Sequence, residues 1–129
     1  VLVDAGFGDL MRPAMYGAFH AMSLIAADDE THPMRTTVVA GPLCESGDVF
    51  TQGEGGVVLT RDLPEASPGD LLVIHDAGAY GASMSSNYNS RPRAAEVMVD
   101  GAQVTLIRAR ETVESLFAGE RLIDGHSRL

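Results

Sequence analysis

Cys44 and Glu45 stand side by side in the run Pro42-Leu-Cys-Glu-Ser-Gly-Asp48, and Cys44 is the only cysteine among 129 residues. Gly41-Pro42 before the pair and Ser46-Gly47-Asp48 after it are turn signals, so the pair belongs to a loop. A thiol with an ordinary pKa of about 8.5 is mostly protonated at neutral pH and can donate a proton. A carboxylate beside it can bind a cationic group on a substrate. A lone cysteine is more often a small buried hydrophobe, so this segment alone does not decide between the two.

Arg12 and Tyr16 form a second candidate pair. At i and i+4 of a helix they share a face. Arg can grip a carboxylate with two parallel hydrogen bonds, and a Tyr hydroxyl can add a third. Taken alone, the pair also reads as a surface Arg beside a half-buried Tyr. Tyr80, in Asp76-Ala-Gly-Ala-Tyr-Gly-Ala82, is flanked by small residues that let the backbone approach a ligand closely. Its phenol can donate to a phosphate oxygen, although no Gly-Lys-Ser/Thr follows and the segment is not a Walker loop. His20, His32, His75 and His126 show no ligand spacing, so no metal site is expected. Neither Ser46 nor Ser83 sits in a nucleophile elbow.

The elements that must position these residues are short. Val1–Ala5 reads as a strand, and Arg12 to Met22 as a helix with Met15, Phe19 and Met22 at spacings of four and three. Asp28–Pro33 is a polar connection. Thr36–Ala40, Val57–Leu63 and Leu71–His75 read as strands, the last two separated by the turn cluster Pro64–Asp70. Gly78–Gly81 reads as a glycine-flanked loop. Ala94–Val99 and Gln103–Arg110 flank Asp100-Gly101, a hairpin signal, and Glu111–Phe117 as a terminal helical turn. Ser83–Arg93 is polar and reads as a linker or an ordered loop. Short strands with frequent turns predict a mainly β fold, a barrel or sandwich with short helices.

Length predicts one domain over residues 1–129, and 45% hydrophobic residues support a globular core. The net charge is −9, and all nine basic residues are Arg. Such a surface disfavours nucleic acid. A single cysteine fits a reducing, cytoplasmic setting. No apolar run approaches a membrane span, and no charged-then-apolar leader is visible. The chain opens inside an apolar run without Met, which reads as the remaining part of a longer protein.

Together these segments resemble the C-terminal domain of the diaminopimelate decarboxylase family. The resemblance rests on Asp4-Ala-Gly-Phe-Gly-Asp-Leu-Met-Arg-Pro-Ala-Met-Tyr-Gly-Ala-Phe-His20, Gly41-Pro-Leu-Cys-Glu-Ser-Gly-Asp48, Gly69-Asp70, and Asp76 to Arg93, in order across about residues 1–112. The family is similar to alanine racemase in fold: an N-terminal (β/α)8 barrel carries the lysine that holds pyridoxal 5'-phosphate, and a C-terminal β-domain follows. It converts meso-2,6-diaminopimelate to L-lysine and carbon dioxide. The resemblance implies that Cys44 is the general acid that returns a proton to the substrate carbon. Glu45 would bind the distal ammonium, Arg12 and Tyr16 the distal carboxylate, and Tyr80 the cofactor phosphate and the substrate. It also implies a homodimer in which Cys44 and Glu45 reach the partner's site. With no Lys, this chain alone is expected to be inactive. The alternatives are a non-catalytic dimerisation or regulatory β-domain, and a decarboxylase of another diamino or basic amino acid.

Overall fold

In the computed structural model, residues 1–28 and 30–121 are described; His126 lies outside them. They divide into two compact units, one from Val1 to Ser86 and the other from Asn87 onward. The polar tract at 83–93 straddles this division.

The first unit holds α1 (Arg12–Tyr16), β1 (Met22–Ile25), β2 (Met34–Thr37), β3 (Arg61–Pro64), β4 (Leu71–Ile74) and α2 (Gly78–Met84), with a 3-10 turn at Glu54–Gly56. Strands β1 and β4 pair antiparallel with Met22 opposite Ile74; β2 and β3 pair antiparallel with Met34 opposite Pro64. Isolated bridges join Leu2 to Ala40, Ala40 to Val49 and Gln52 to Val58. Leu10, Val39, Phe50 and Leu63 form the buried core, with Val3, Ala5, Met22, Leu72, Ile74 and Ala77 packed on it. The second unit is built on the hairpin of β5 (Glu96–Asp100) and β6 (Gln103–Arg108), with α3 (Val113–Leu116) after it.

Small antiparallel sheets with few helices are thus the architecture, as the turn-rich pattern predicts. Among the described residues no sheet exceeds two strands, and none closes into a barrel.

Several boundaries differ from the sequence expectation. Helix α1 stops at Tyr16, not Met22. Gly17 adopts φ 61°, its N–H donates to Pro13 O at 2.9 Å, and a Cβ there would overlap the Glu54 backbone nitrogen. Only glycine fits such a site, and it ends the helix. The Met15–Phe19–Met22 spacing is therefore accidental: Phe19 is exposed and Met22 opens β1, a strand the pattern did not reveal. Val1–Ala5 contributes a bridge to Ala40 instead of a full strand. The strands expected at Thr36–Ala40 and Val57–Leu63 shift to Met34–Thr37 and Arg61–Pro64. Gly78–Gly81 is not a loop but the start of α2, so Tyr80 is helical. Gly81 is buried there, on the side of the helix that faces Leu10 of the core.

Two polar junctions hold the ends of these short elements. In the second unit Glu111 accepts from Arg93 Nε at 2.7 Å, from Arg93 N–H at 2.9 Å and from Asn87 Nδ2 at 2.6 Å. The Arg93 contact first, then its backbone N–H and Asn87, lower the Glu111 pKa to about 2. That junction is complete above the ordinary carboxylate range and is lost only as pH falls through about 2.

In the first unit His32 joins the β1–β2 connection to the β3–β4 turn. Its Nε2 lies 2.9 Å from Asp28 Oδ1 and its Nδ1 lies 2.7 Å from Glu65 O. Both partners only accept, so the ring satisfies both as imidazolium. The Asp28 carboxylate, then the Glu65 carbonyl, raise the His32 pKa above 6.5, and the same His32 contact, followed by the Glu30 N–H, lowers that of Asp28. The clamp is therefore complete below 6.5, down to the Asp28 carboxylate range, and is lost as pH rises through the raised His32 value. An NMR titration of the His32 ring should give a midpoint above 6.5, and Asp28→Asn should bring it down. A midpoint unchanged by Asp28→Asn would disprove the pairing.

Candidate functional site

The loop that carries Cys44 is anchored by a buried carboxylate. Asp48 is 2% exposed. Its Oδ1 accepts from Phe7 N–H and its Oδ2 from Leu43 N–H, both at 2.7 Å. Its own N–H donates to Glu45 O at 3.1 Å, and its carbonyl accepts from Gly41 N–H at 2.9 Å. Gln52, also buried, donates from Nε2 to Gly47 O at 2.8 Å and to Val49 O at 2.6 Å. Gly41 must lack a Cβ, because one would overlap the Asp48 carboxylate. The loop backbone is thus satisfied from beneath, which is why its turn-forming residues hold one shape without regular structure.

Above that base Cys44 and Glu45 are exposed. This settles the choice left open by the sequence: Cys44 is not a buried hydrophobe. Glu45 Oε1 accepts from Ser46 Oγ at 3.2 Å and Gly47 N–H at 3.1 Å. Among the described residues no cation pairs with Glu45, so its charge is free to bind one.

Phe7, held by Asp48, leads directly through the buried Leu10 into α1. Pro13 in the first turn is buried, whereas Tyr16 is exposed. The Arg12 guanidinium lies 5.7 Å from the Tyr16 ring centroid and 4.8 Å from that of Tyr80. Helix α2 is held at its far end by Ser86 N–H donating to Gly8 O at 2.9 Å. Tyr16 and Tyr80 are each 56% exposed, so Tyr16 is more open than the half-buried residue expected. Cation–π contacts at such exposed sites contribute about 0.5–1 kcal/mol each, enough to orient the guanidinium without neutralising it. Arg12 makes no ion pair among the described residues. One unpaired cation with two phenols is suited to an anion such as a carboxylate or phosphate.

The structure therefore groups Arg12, Tyr16 and Tyr80. Among the described residues Cys44 and Glu45 share no hydrogen bond or ring contact with that group; they form a second cluster on their own loop. Sequence reasoning assigned no role to Asp48 or Gln52. The only signal for Asp48 was its place at the end of the Cys-Glu motif, with glycines at 6 and 41 that its carboxylate requires. Among the described residues no cluster of His, Cys, Asp or Glu could hold a metal ion, and no helix is long and apolar enough to cross a membrane.

Residues 1–78 match the model of the pyridoxal-dependent decarboxylase C-terminal sheet domain. The chain belongs to that family. Its sheet-domain relatives include the diaminopimelate decarboxylase of Escherichia coli strain K12, 66% identical over 95% of this chain and 30% of that protein. Among solved structures, a diaminopimelate decarboxylase superposes with a TM-score of 0.88 at 66% identity, covering 92% of this chain and 29% of that one. The enzyme from M. jannaschii in complex with L-lysine superposes with a TM-score of 0.81 at 41% identity, over 95% of this chain and 26% of that one. The chain thus spans about 30% of the length of the relative it matches.

The family's dependence on pyridoxal can be set against the residues here. With no Lys, the sheet domain offers no side-chain amine to hold the cofactor covalently. The unpaired Arg12 and the exposed phenol of Tyr80 fit an anionic group of cofactor or substrate.

Asp48→Ala should lower stability by about 2–4 kcal/mol, because it leaves two part-buried backbone donors without an acceptor and empties the buried site of its carboxylate. Chemical denaturation measures this directly. Gly41→Ala should also destabilise, through overlap with the same carboxylate. If Asp48→Ala unfolds at the wild-type midpoint, the anchor carries no energy.

Proposed function

We propose that this chain is the C-terminal β-domain, residues 1–129, of a cytoplasmic, pyridoxal 5'-phosphate-dependent decarboxylase that converts meso-2,6-diaminopimelate to L-lysine and carbon dioxide. The single observation that carries the reading is the separation of charge on one unit. An unpaired cation framed by two phenols and an unpaired carboxylate beside a thiol match a substrate whose far end has both a carboxylate and an ammonium. The relatives named diaminopimelate decarboxylase, and the one solved with L-lysine, support it.

In this reading Arg12 and Tyr16 hold the distal carboxylate and Glu45 holds the distal ammonium. Tyr80 donates to the cofactor phosphate and borders the substrate. When bound, the cofactor supplies the sink for the electrons of the broken carbon–carbon bond. Cys44 then delivers its thiol proton to the substrate carbon from which carbon dioxide has left. The exposure of Cys44 and Glu45, which share no ring contact or hydrogen bond with Arg12 among the described residues, supports a reading in which they enter the site of a second subunit. The functional unit is accordingly a homodimer with shared active sites. The lysine comes from a barrel that this chain does not include.

The kinetic consequences differ by residue. In the full-length enzyme Cys44→Ala should lower kcat by roughly 10²–10⁴, the usual contribution of a general acid, with little change in KM. Glu45→Gln and Arg12→Ala should each lower kcat/KM roughly ten- to a hundredfold, from the loss of a charge-assisted hydrogen bond, while the cofactor stays bound. Steady-state kinetics with diaminopimelate decide it: wild-type efficiency in Glu45→Gln and Arg12→Ala would remove this substrate assignment.

A further inference from the structure

Where α1 and α2 diverge, the β1–β4 ladder ends in a side chain. Its last strand pair is Met22 opposite Ile74. One step further His75 N–H donates to Ala21 O at 2.8 Å. The next rung is made by a ring: His20 Nδ1 lies 3.0 Å from His75 O. A carbonyl only accepts, so Nδ1 carries the proton and donates. The His75 ring is fixed in turn by a hydrogen bond between its Nε2 and Ser23 Oγ at 2.8 Å. His20 is 6% exposed, and its Nε2 has no partner among the described residues.

The chain turns sharply on both sides of this rung. Upstream of His20 lie Gly17 and α1 with Arg12 and Tyr16. Downstream of His75, Asp76 takes φ 56° and feeds α2 with Tyr80. Neither helix has a side-chain N-cap. Both are one to two turns long and too short to be stable alone. The relative placement of the Arg12 guanidinium and the Tyr80 ring depends on how these two exits are joined.

We propose that His20 is a positioning residue: its Nδ1–H bond to His75 O locks the α1 and α2 exits together and so sets the Arg12–Tyr80 stack. This deepens the assignment of Arg12 and Tyr80 to substrate and cofactor, and for its effect on catalysis it rests on that assignment. The lock itself does not.

The test separates the two. Arg Nε–H signals of the full-length protein are followed by NMR, with Arg12 assigned through Arg12→Lys and its ring-current shift through Tyr80→Leu. In His20→Leu the Arg12 ring-current shift should be lost while the methyl signals of the Val39 core stay dispersed. His20→Asn, whose amide can donate from nearly the same place as Nδ1, should restore it; His20→Gln, which places its amide further out, should not. If His20→Leu fails to fold, the Asn and Gln pair still decides the matter. A ring-current shift that persists in His20→Leu, or that Asn and Gln restore equally, overturns the lock. KM for diaminopimelate is measured on the same variants. A lost shift with a raised KM that Asn restores supports both the lock and the substrate assignment; a lost shift with unchanged KM supports the lock and overturns the assignment of Arg12.

Discussion

The Asp48 carboxylate is the interaction on which the first unit depends. It is buried, and each oxygen takes one backbone N–H from a different stretch of chain: Phe7 on the approach to α1, and Leu43 at the start of the Cys44 loop. The two loops that lead away from the Leu2–Ala40 bridge are thereby held together beyond it. Burying a carboxylate is costly unless hydrogen bonds replace its water, and here charge-assisted bonds to backbone donors do so. The same bonds remove two donors that the irregular backbone would otherwise leave unpaired. Glycine at 41 is the steric condition for the arrangement.

The polar groups divide into those that hold the fold and those left open. Asp48, Gln52, Thr51 and His20 are buried and bind backbone atoms. Arg93 is spent on Glu111, Arg108 on Glu96 and Arg35 on Glu65. Arg12, like Arg61 over Phe19, lies over aromatic rings with no carboxylate partner among the described residues, and Arg12 alone of the two has phenols around it. A cation left unpaired amid excess negative charge is kept for a ligand more readily than for stability. Glu45 is its counterpart, a carboxylate that among the described residues binds its own turn.

Candidate site residues were easier to single out in the sequence than the elements that carry them. Cys44, Glu45, Arg12, Tyr16 and Tyr80 could be singled out from residue type and neighbours, because turn signals and an i, i+4 spacing are local. The grouping of Arg12 with Tyr80 was not local: it crosses 68 positions, the difference between their numbers, and depends on a ladder rung made by a histidine ring. Helix limits failed for a similar reason. Gly17 reads as a weak helix residue until the nearby Glu54 backbone shows why no side chain is allowed. Glycines at 78 and 81 read as a loop, yet both lie in α2, where Gly81 is buried against the core beside Leu10 despite its low helix propensity. The hairpin at Asp100-Gly101 needed no such help; its turn sequence and its pairing of Asp100 with Gln103 agree.

In the function proposed above, Cys44 on this exposed loop completes a site in another subunit. Two inactive full-length variants test it, Cys44→Ala and one lacking the barrel lysine. After subunit exchange at equal amounts about half the dimers are mixed, each with one intact site of two, so about a quarter of wild-type decarboxylase activity should return. Recovery should follow the rate of exchange seen by mass spectrometry. Full exchange with no recovery would contradict the claim and place Cys44 within its own subunit's site or outside any.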